Sequence, residues 1–185
     1  MTRPLRNTDM NHRDAIVKYD PDKHHRRSIR LKGYDYAQAG AYFITVCSDQ
    51  RARIFGEIVE GQFKSSDVGL VVKRIWENLP NHYAHLTLDA FVVMPNHIHG
   101  LLMLSENPSD TKRQDIPMIV GTFKSYSTRE VRLIEPGLQV WHRNYYDHVV
   151  RDEDELDGIR NYILSNPLLW EQDIDNPASG AYRNE

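Results

Sequence analysis

A chain of 185 residues, 40% hydrophobic and 26% charged with a mean hydropathy of -0.61, suits one soluble domain with a sizeable core. No apolar run approaches the roughly 20 residues of a membrane helix, and the polar N-terminus lacks the apolar core of a signal peptide. The single cysteine, Cys47, excludes an internal disulfide framework and cysteine-rich zinc sites. These readings predict a cytoplasmic location.

The net charge of -3 conceals an asymmetry. Residues 1–32 carry nine Lys or Arg against four Asp, whereas residues 151–185 carry nine acids against three Arg. A basic surface at one end and an acidic region at the other is the pattern expected of a nucleic-acid binder, although a solvated basic tail has the same composition. The expected organisation is a flexible basic segment over 1–27, one domain over 28–170 and an acidic tail over 171–185.

Residues 1–21 are polar and aperiodic. The first strand signal is Tyr42–Cys47, aromatic and β-branched, with Cys47 expected to be a buried, inert thiol. Phe55 to Lys64 reads as a hairpin turning at Glu60-Gly61. Asp67 is placed to cap a helix whose apolar stripe is Val68, Val71, Val72, Ile75 and Leu79, ended by Pro80. Strands over Leu86–Met94 and His97–Leu104 form an antiparallel hairpin. A second helix runs over Ile116–Ile134, its buried side Ile116, Ile119, Val120, Phe123 and Val131. Gln139–Arg143 resembles a short strand. The last helix opens at Asp152, with Glu155 completing a capping box, and carries Leu156, Ile159 and Ile163 inward until Asn166-Pro167. Strands interspersed with helices around a central hairpin predict an α+β fold. It is a ferredoxin-like sandwich, an antiparallel sheet with helices on one face, plus an extra C-terminal helix.

Two histidines stand out. Side chains alternate along a strand, so His97 and His99 share a face while Ile98 points to the other layer. Two imidazoles one pleat apart can hold one divalent ion, though a hydrogen-bonded pair on a sheet face is the more ordinary outcome. Tyr162 and Asn166 are four residues apart on the last helix, about a quarter turn from its apolar centre, where a phenol and an amide could approach such an ion. Pro167 disfavours helical geometry at Asn166, which places the amide at the helix cap.

Val92-Val93-Met94-Pro95-Asn96-His97-Ile98-His99-Gly100, followed far downstream by Tyr145-Tyr146-Asp147-His148-Val149-Val150-Arg151 and Asn161-Tyr162-Ile163-Leu164-Ser165-Asn166-Pro167, resembles the single-tyrosine HUH transposases, in particular the REP-associated tyrosine transposases. The resemblance spans residues 28–170. It implies that Tyr162, on the extra C-terminal helix, is a nucleophile, that His97, His99 and Asn166 hold Mg²⁺ or Mn²⁺, and that single-stranded or hairpin DNA is cut through a 5′-phosphotyrosine. Related transposases often carry Gln where Asn166 stands, one methylene longer. Candidate DNA contacts are Arg26, Arg27, Arg30 and Lys32 near the N-terminus, Lys124, Tyr126 and Arg129 on the second helix, then Arg143, His148 and Arg151. A catalytically silent hairpin-binding module and a metal hydrolase that activates water are the alternatives. Monomer and homodimer are both open.

Overall fold

The computed structural model describes residues 33–106 and 114–179. The N-terminal candidates Arg26, Arg27, Arg30 and Lys32 lie outside the described residues. Strands β1 (Gly40–Cys47), β4 (Leu86–Val93), β5 (His97–Leu104) and β6 (Tyr146–Val150) form one sheet in the order β4-β5-β1-β6, each neighbouring pair antiparallel. With helices α1 (Asp67–Glu77) and α2 (Ile116–Ile134) as the connections, this is the ferredoxin-like β-α-β-β-α-β order. A separate hairpin, β2 (Gly56–Val59) and β3 (Gln62–Ser65), is inserted before α1, and α3 (Glu153–Ser165) follows β6.

The sheet has two unequal faces. Tyr42, Ile44 and Val46 of β1 and Ile98, Leu102 and Leu104 of β5 meet the apolar sides of α1 and α2 in the main core. Ala41, Phe43 and Leu101, one residue out of phase, meet Leu156 and Ile163 of α3 in a smaller one. Packing in the main core is tight at Gly100. A Cβ there would lie 2.1 Å from Trp76 Cζ2, so only glycine lets the indole lie on the strand, stacked on Phe91 at 4.8 Å.

Local chemistry explains the boundaries. The β2–β3 turn has positive φ at both Glu60 and Gly61, the two-residue turn that matches strand twist. Helix α1 is capped by Ser66, one residue before the expected Asp67: its hydroxyl accepts from Gly69 N–H and donates to the Ile54 carbonyl. Helix α2 spans the expected residues, with the five predicted apolar side chains buried. At α3, Asp152 accepts from Glu155 N–H as expected, but Glu155 reaches back to Arg151 N–H and also to the His148 ring.

Three expectations are corrected. The last strand is Tyr146–Val150, not Gln139–Arg143, which makes only the isolated bridge Ser48–Trp141 while Val140 is buried in the core. Cys47 is half-buried at the end of β1 rather than enclosed. Asn166 does cap α3, yet with helical dihedrals (φ -55°, ψ -42°), and the chain continues into a 3₁₀ turn, Asn166–Gln172. No helix among the described residues is long and apolar enough to cross a membrane.

Candidate metal and tyrosine site

His97 and His99 open β5 on its α3 face, both buried, with their Nε2 atoms 3.0 Å apart. The neighbouring Asn96 decides how His97 is protonated. Its Nδ2 reaches the carbonyl oxygens of Asp175 (2.7 Å) and Arg51 (3.2 Å), which can only accept, so the amide is held with Oδ1 toward His97 Nδ1 at 2.9 Å. His97 must therefore carry its proton on Nδ1 and leave an Nε2 lone pair facing the site. Burial, reinforced by the Arg51 charge, pushes its pKa down to about 3, and burial likewise holds His99 well below the usual histidine range. Both rings are neutral at pH 7. His99 Nδ1 lies 2.8 Å from Thr45 Oγ1, and Phe43 stacks on its ring at 5.3 Å.

Tyr162 reaches the same spot from α3. Its hydroxyl is 3.3 Å from His99 Nε2, and its ring packs edge-on to Phe43 at 6.1 Å. The helix is tied down at both ends of its inner face. Arg160 grips Asp89 with bonds of 2.7–3.2 Å at an irregularity in β4, and His148 Nε2 sits 2.7 Å from Glu155 Oε1.

Asn166 is buried at the end of α3, and its Oδ1 has no hydrogen-bond partner. A carboxylate oxygen reaches the histidines: Asp173 Oδ2, also buried and without a hydrogen-bond partner, lies 3.7 Å from His97 Nε2. Donor atoms of His97, His99 and Asp173 all fall within 4.8 Å of one another. Burial, followed by the charge of Asp175, raises the Asp173 pKa to about 7; the nearby Asn166 amide and Arg51 offset this only in part. Two imidazoles and a carboxylate oxygen brought together, with a buried unpartnered amide oxygen on Asn166, are donor chemistry that fits a divalent cation. Asp173 carries no signal in the sequence. It lies in the expected acidic tail, and only the docking of that tail brings it to the histidines.

Residues 37–166 match the family described as Transposase IS200 like. The chain belongs to this family. It is 41% identical over 173 residues to an uncharacterized protein of Haemophilus influenzae, covering 85% of this chain and 96% of that one. A second Haemophilus influenzae protein, which carries the name of a REP-associated tyrosine transposase, is 26% identical over 140 residues, 72% of this chain and 73% of its own. In three dimensions the IS200-like chain resembles a REP-associated tyrosine transposase solved bound to a REP hairpin. The TM-score is 0.54 over 78% of this chain and 72% of that one, at 19% identity, a likeness of fold.

The other candidates of this IS200-like transposase chain do not converge. Lys124, Arg129 and Arg143 line one open groove between α2 and residues 139–143, together with Arg132 and His142. Lys124 is committed there to structure, since Nζ donates to the carbonyls of His142 (2.8 Å) and Arg143 (2.9 Å). Tyr126 is outside the groove, its ring 5.5 Å from His82 and covered by Arg129. His148 and Arg151 belong to the β6–α3 junction. Of the rival phenols, Tyr145 packs on the main core, and Tyr146 joins the α3 face with its pKa pushed up to about 12 by burial. Trp76 and Trp141 are core residues, as expected.

Proposed function

We propose that this chain is a metal-dependent DNA-nicking and joining enzyme that cuts single-stranded DNA at hairpin-associated sites through a 5′-phosphotyrosine on Tyr162. The observation that carries the reading is the 3.3 Å approach of the Tyr162 hydroxyl to His99 Nε2, itself 3.0 Å from His97 Nε2. A candidate nucleophile thus stands beside a cluster of cation donors. His97, His99 and Asn166 are the proposed ligands, and Mg²⁺ or Mn²⁺ the proposed ion. When bound, the ion supplies Lewis-acid stabilisation to the scissile phosphate and the leaving oxygen.

The chain's own residues set up the rest. Tyr162 Oη bonds to phosphorus as the bond from phosphorus to the 3′ oxygen breaks; the phenol releases its proton to solvent and the leaving oxygen ends as a 3′-OH. Phosphoester energy is retained in the adduct, so another 3′-OH can reverse the step and join strands without ATP. His97 and His99, held neutral by burial, act as ligands rather than as acids. Arg160–Asp89 and His148–Glu155 fix the helix, so the phenol is positioned before substrate arrives. An in-line approach to an exposed backbone favours a single strand or hairpin over plain duplex. The hairpin bound by the structural relative supports the same partner class.

Labelled hairpins from the DNA flanking the gene, incubated with Mn²⁺ or Mg²⁺, test this. A protein–DNA adduct that survives denaturation is expected for wild type and is expected to vanish in both Tyr162→Phe and His97→Ala. Tight binding without any adduct supports the silent hairpin-binding reading instead. Metal-dependent cleavage that persists in Tyr162→Phe makes water the nucleophile and refutes the mechanism.

A further inference from the structure

The segment after the 3₁₀ turn is stitched to the histidine motif itself. Asp175 pairs with Arg51, and its carbonyl accepts from Asn96, the residue that orients His97. Asn176 accepts from Arg53 Nη2 at 2.8 Å and donates to the Trp170 carbonyl at 2.9 Å. Arg53 in turn lies over the Trp170 ring. Within this turn the two oxygens of Asp173 have different surroundings. One accepts from Asp175 N–H at 2.6 Å, locking the turn; the other, Oδ2, is aimed at His97 Nε2 with no donor on it. The Asp173 side chain is only 3% exposed.

From this geometry we infer that Asp173 is an anionic ligand of the cation held by His97 and His99, so that residues 173–176 belong to the metal centre rather than to a tail. The inference rests on the metal-dependent reading above and extends its ligand set.

The spacing is right for one ion. Ligand atoms cis to each other at about 2.1 Å from an octahedral cation are about 3 Å apart. His97 Nε2 and His99 Nε2 are separated by 3.0 Å, and Asp173 Oδ2 is 3.7 Å from His97 Nε2. A small inward shift closes the set. The surroundings agree with this. Arg51 is engaged by Asp175, and the proton of His97 is held on Nδ1 by Asn96, so Asp173 Oδ2 faces the bare Nε2 of His97. Without Asp173 the set of His97, His99 and Asn166 is neutral. With it the set carries one negative charge and two oxygen donors, suited to a hard divalent ion.

Mn²⁺ binding to the full chain, followed by electron paramagnetic resonance of the free ion, tests the assignment in wild type, Asp173→Asn, Asn176→Ala and His97→Ala. Asp173→Asn keeps the side-chain shape; it is expected to bind Mn²⁺ at least tenfold more weakly without lowering the metal-free Tm. Asn176→Ala leaves every donor atom in place but frees the segment, and is expected to weaken binding several-fold. Unchanged affinity in Asp173→Asn, with binding still lost in His97→Ala, overturns the role of Asp173 and leaves a two-histidine centre standing. Undiminished binding in His97→Ala overturns the metal centre altogether.

Discussion

Asn96 joins three parts of the molecule through one amide, and its replacement by alanine has a cost that follows from the geometry. Three hydrogen bonds disappear: Nδ2 to the Asp175 carbonyl, Nδ2 to the Arg51 carbonyl, and His97 Nδ1–H to Oδ1. At about 1 kcal/mol each this is about 3 kcal/mol, and the orphaned His97 N–H, fully buried, adds about 1–2 kcal/mol. A total of about 4–5 kcal/mol is a large share of the roughly 5–15 kcal/mol that holds a domain together. Urea denaturation at pH 7 without metal measures it directly. Asn96→Asp provides the sharper contrast, because it keeps the size and still accepts from His97. Its second oxygen, however, faces two carbonyl oxygens in place of the amide that donated to them, so it is expected to destabilise by a similar amount. Stability within 1 kcal/mol of wild type for Asn96→Asp would refute the assigned amide orientation, and with it the argument that His97 presents a bare Nε2.

Three further outcomes are expected. Gly100→Ala drives a methyl group into Trp76, which Phe91 and Phe123 hold in place. A loss of about 1–3 kcal/mol is expected, read as a fall in Tm of a few degrees or more; an unchanged Tm would mean the indole moves freely. Lys124→Met removes two charge-assisted bonds to the carbonyls of His142 and Arg143. It should cost about 2–3 kcal/mol in denaturant even without DNA, whereas a residue serving only to contact phosphate would leave stability unchanged. Metal-free stability should depend on pH through Asp173 and the histidines with opposite signs. The Asp173 pKa, raised in the fold to about 7 from 3.8, contributes a loss as pH rises from about 4 to 7. That loss amounts to about 4 kcal/mol and persists above pH 7. His97, depressed from 6.5 to about 3, contributes a loss as pH falls below about 6.5. Asp173→Asn should therefore gain stability over wild type most at pH 8 and hardly at all at pH 4; equal curves for the two proteins would show that Asp173 is not a buried acid.

Where local pattern carries the information, the fold was legible. Helix α2 and strand β5 have the expected bounds, because one apolar stripe and one nearly continuous buried strand leave little choice of register. The last strand was not. Gln139–Arg143 offers Val140 and Trp141 to the core from an extended loop, whereas β6 carries Asp147 and His148 on an edge strand and hides its alternation. Of the candidate site, His97, His99 and Tyr162 lie side by side, each positioned by a single strand or helix. Asp173 was illegible because its position depends on contacts such as Arg51 with Asp175, 124 residues apart in the chain. Lys124 shows a role that residue type did not suggest: its ammonium secures two backbone carbonyls.

Strand β5 is under opposite demands on its two faces, and this bears on function. Toward α1 and α2 it presents Ile98, Gly100, Leu102 and Leu104 to the apolar main core, where the Trp76 indole lies on Gly100. Toward α3 it begins instead with two histidines, and around them lie an asparagine and an aspartate whose oxygens are buried and unmatched. Apolar side chains of similar volume at these positions would avoid the desolvation cost, and replacing buried charged groups in that way is often neutral or stabilising. Part of the cluster ties structure together, through His97 to Asn96 and Asp173 to Asp175, but this leaves the inward-facing Nε2 and Oδ2 atoms unexplained. Tyr162 could pack on Phe43 equally well above leucines, and the Arg160–Asp89 clamp would hold the helix without any histidine beneath it. What the cluster does achieve, and an apolar patch could not, is to gather imidazole and carboxylate donor atoms beside a phenol. Stability given up at one spot, where imidazole and carboxylate atoms face one another, supports the proposed metal site over a purely structural role.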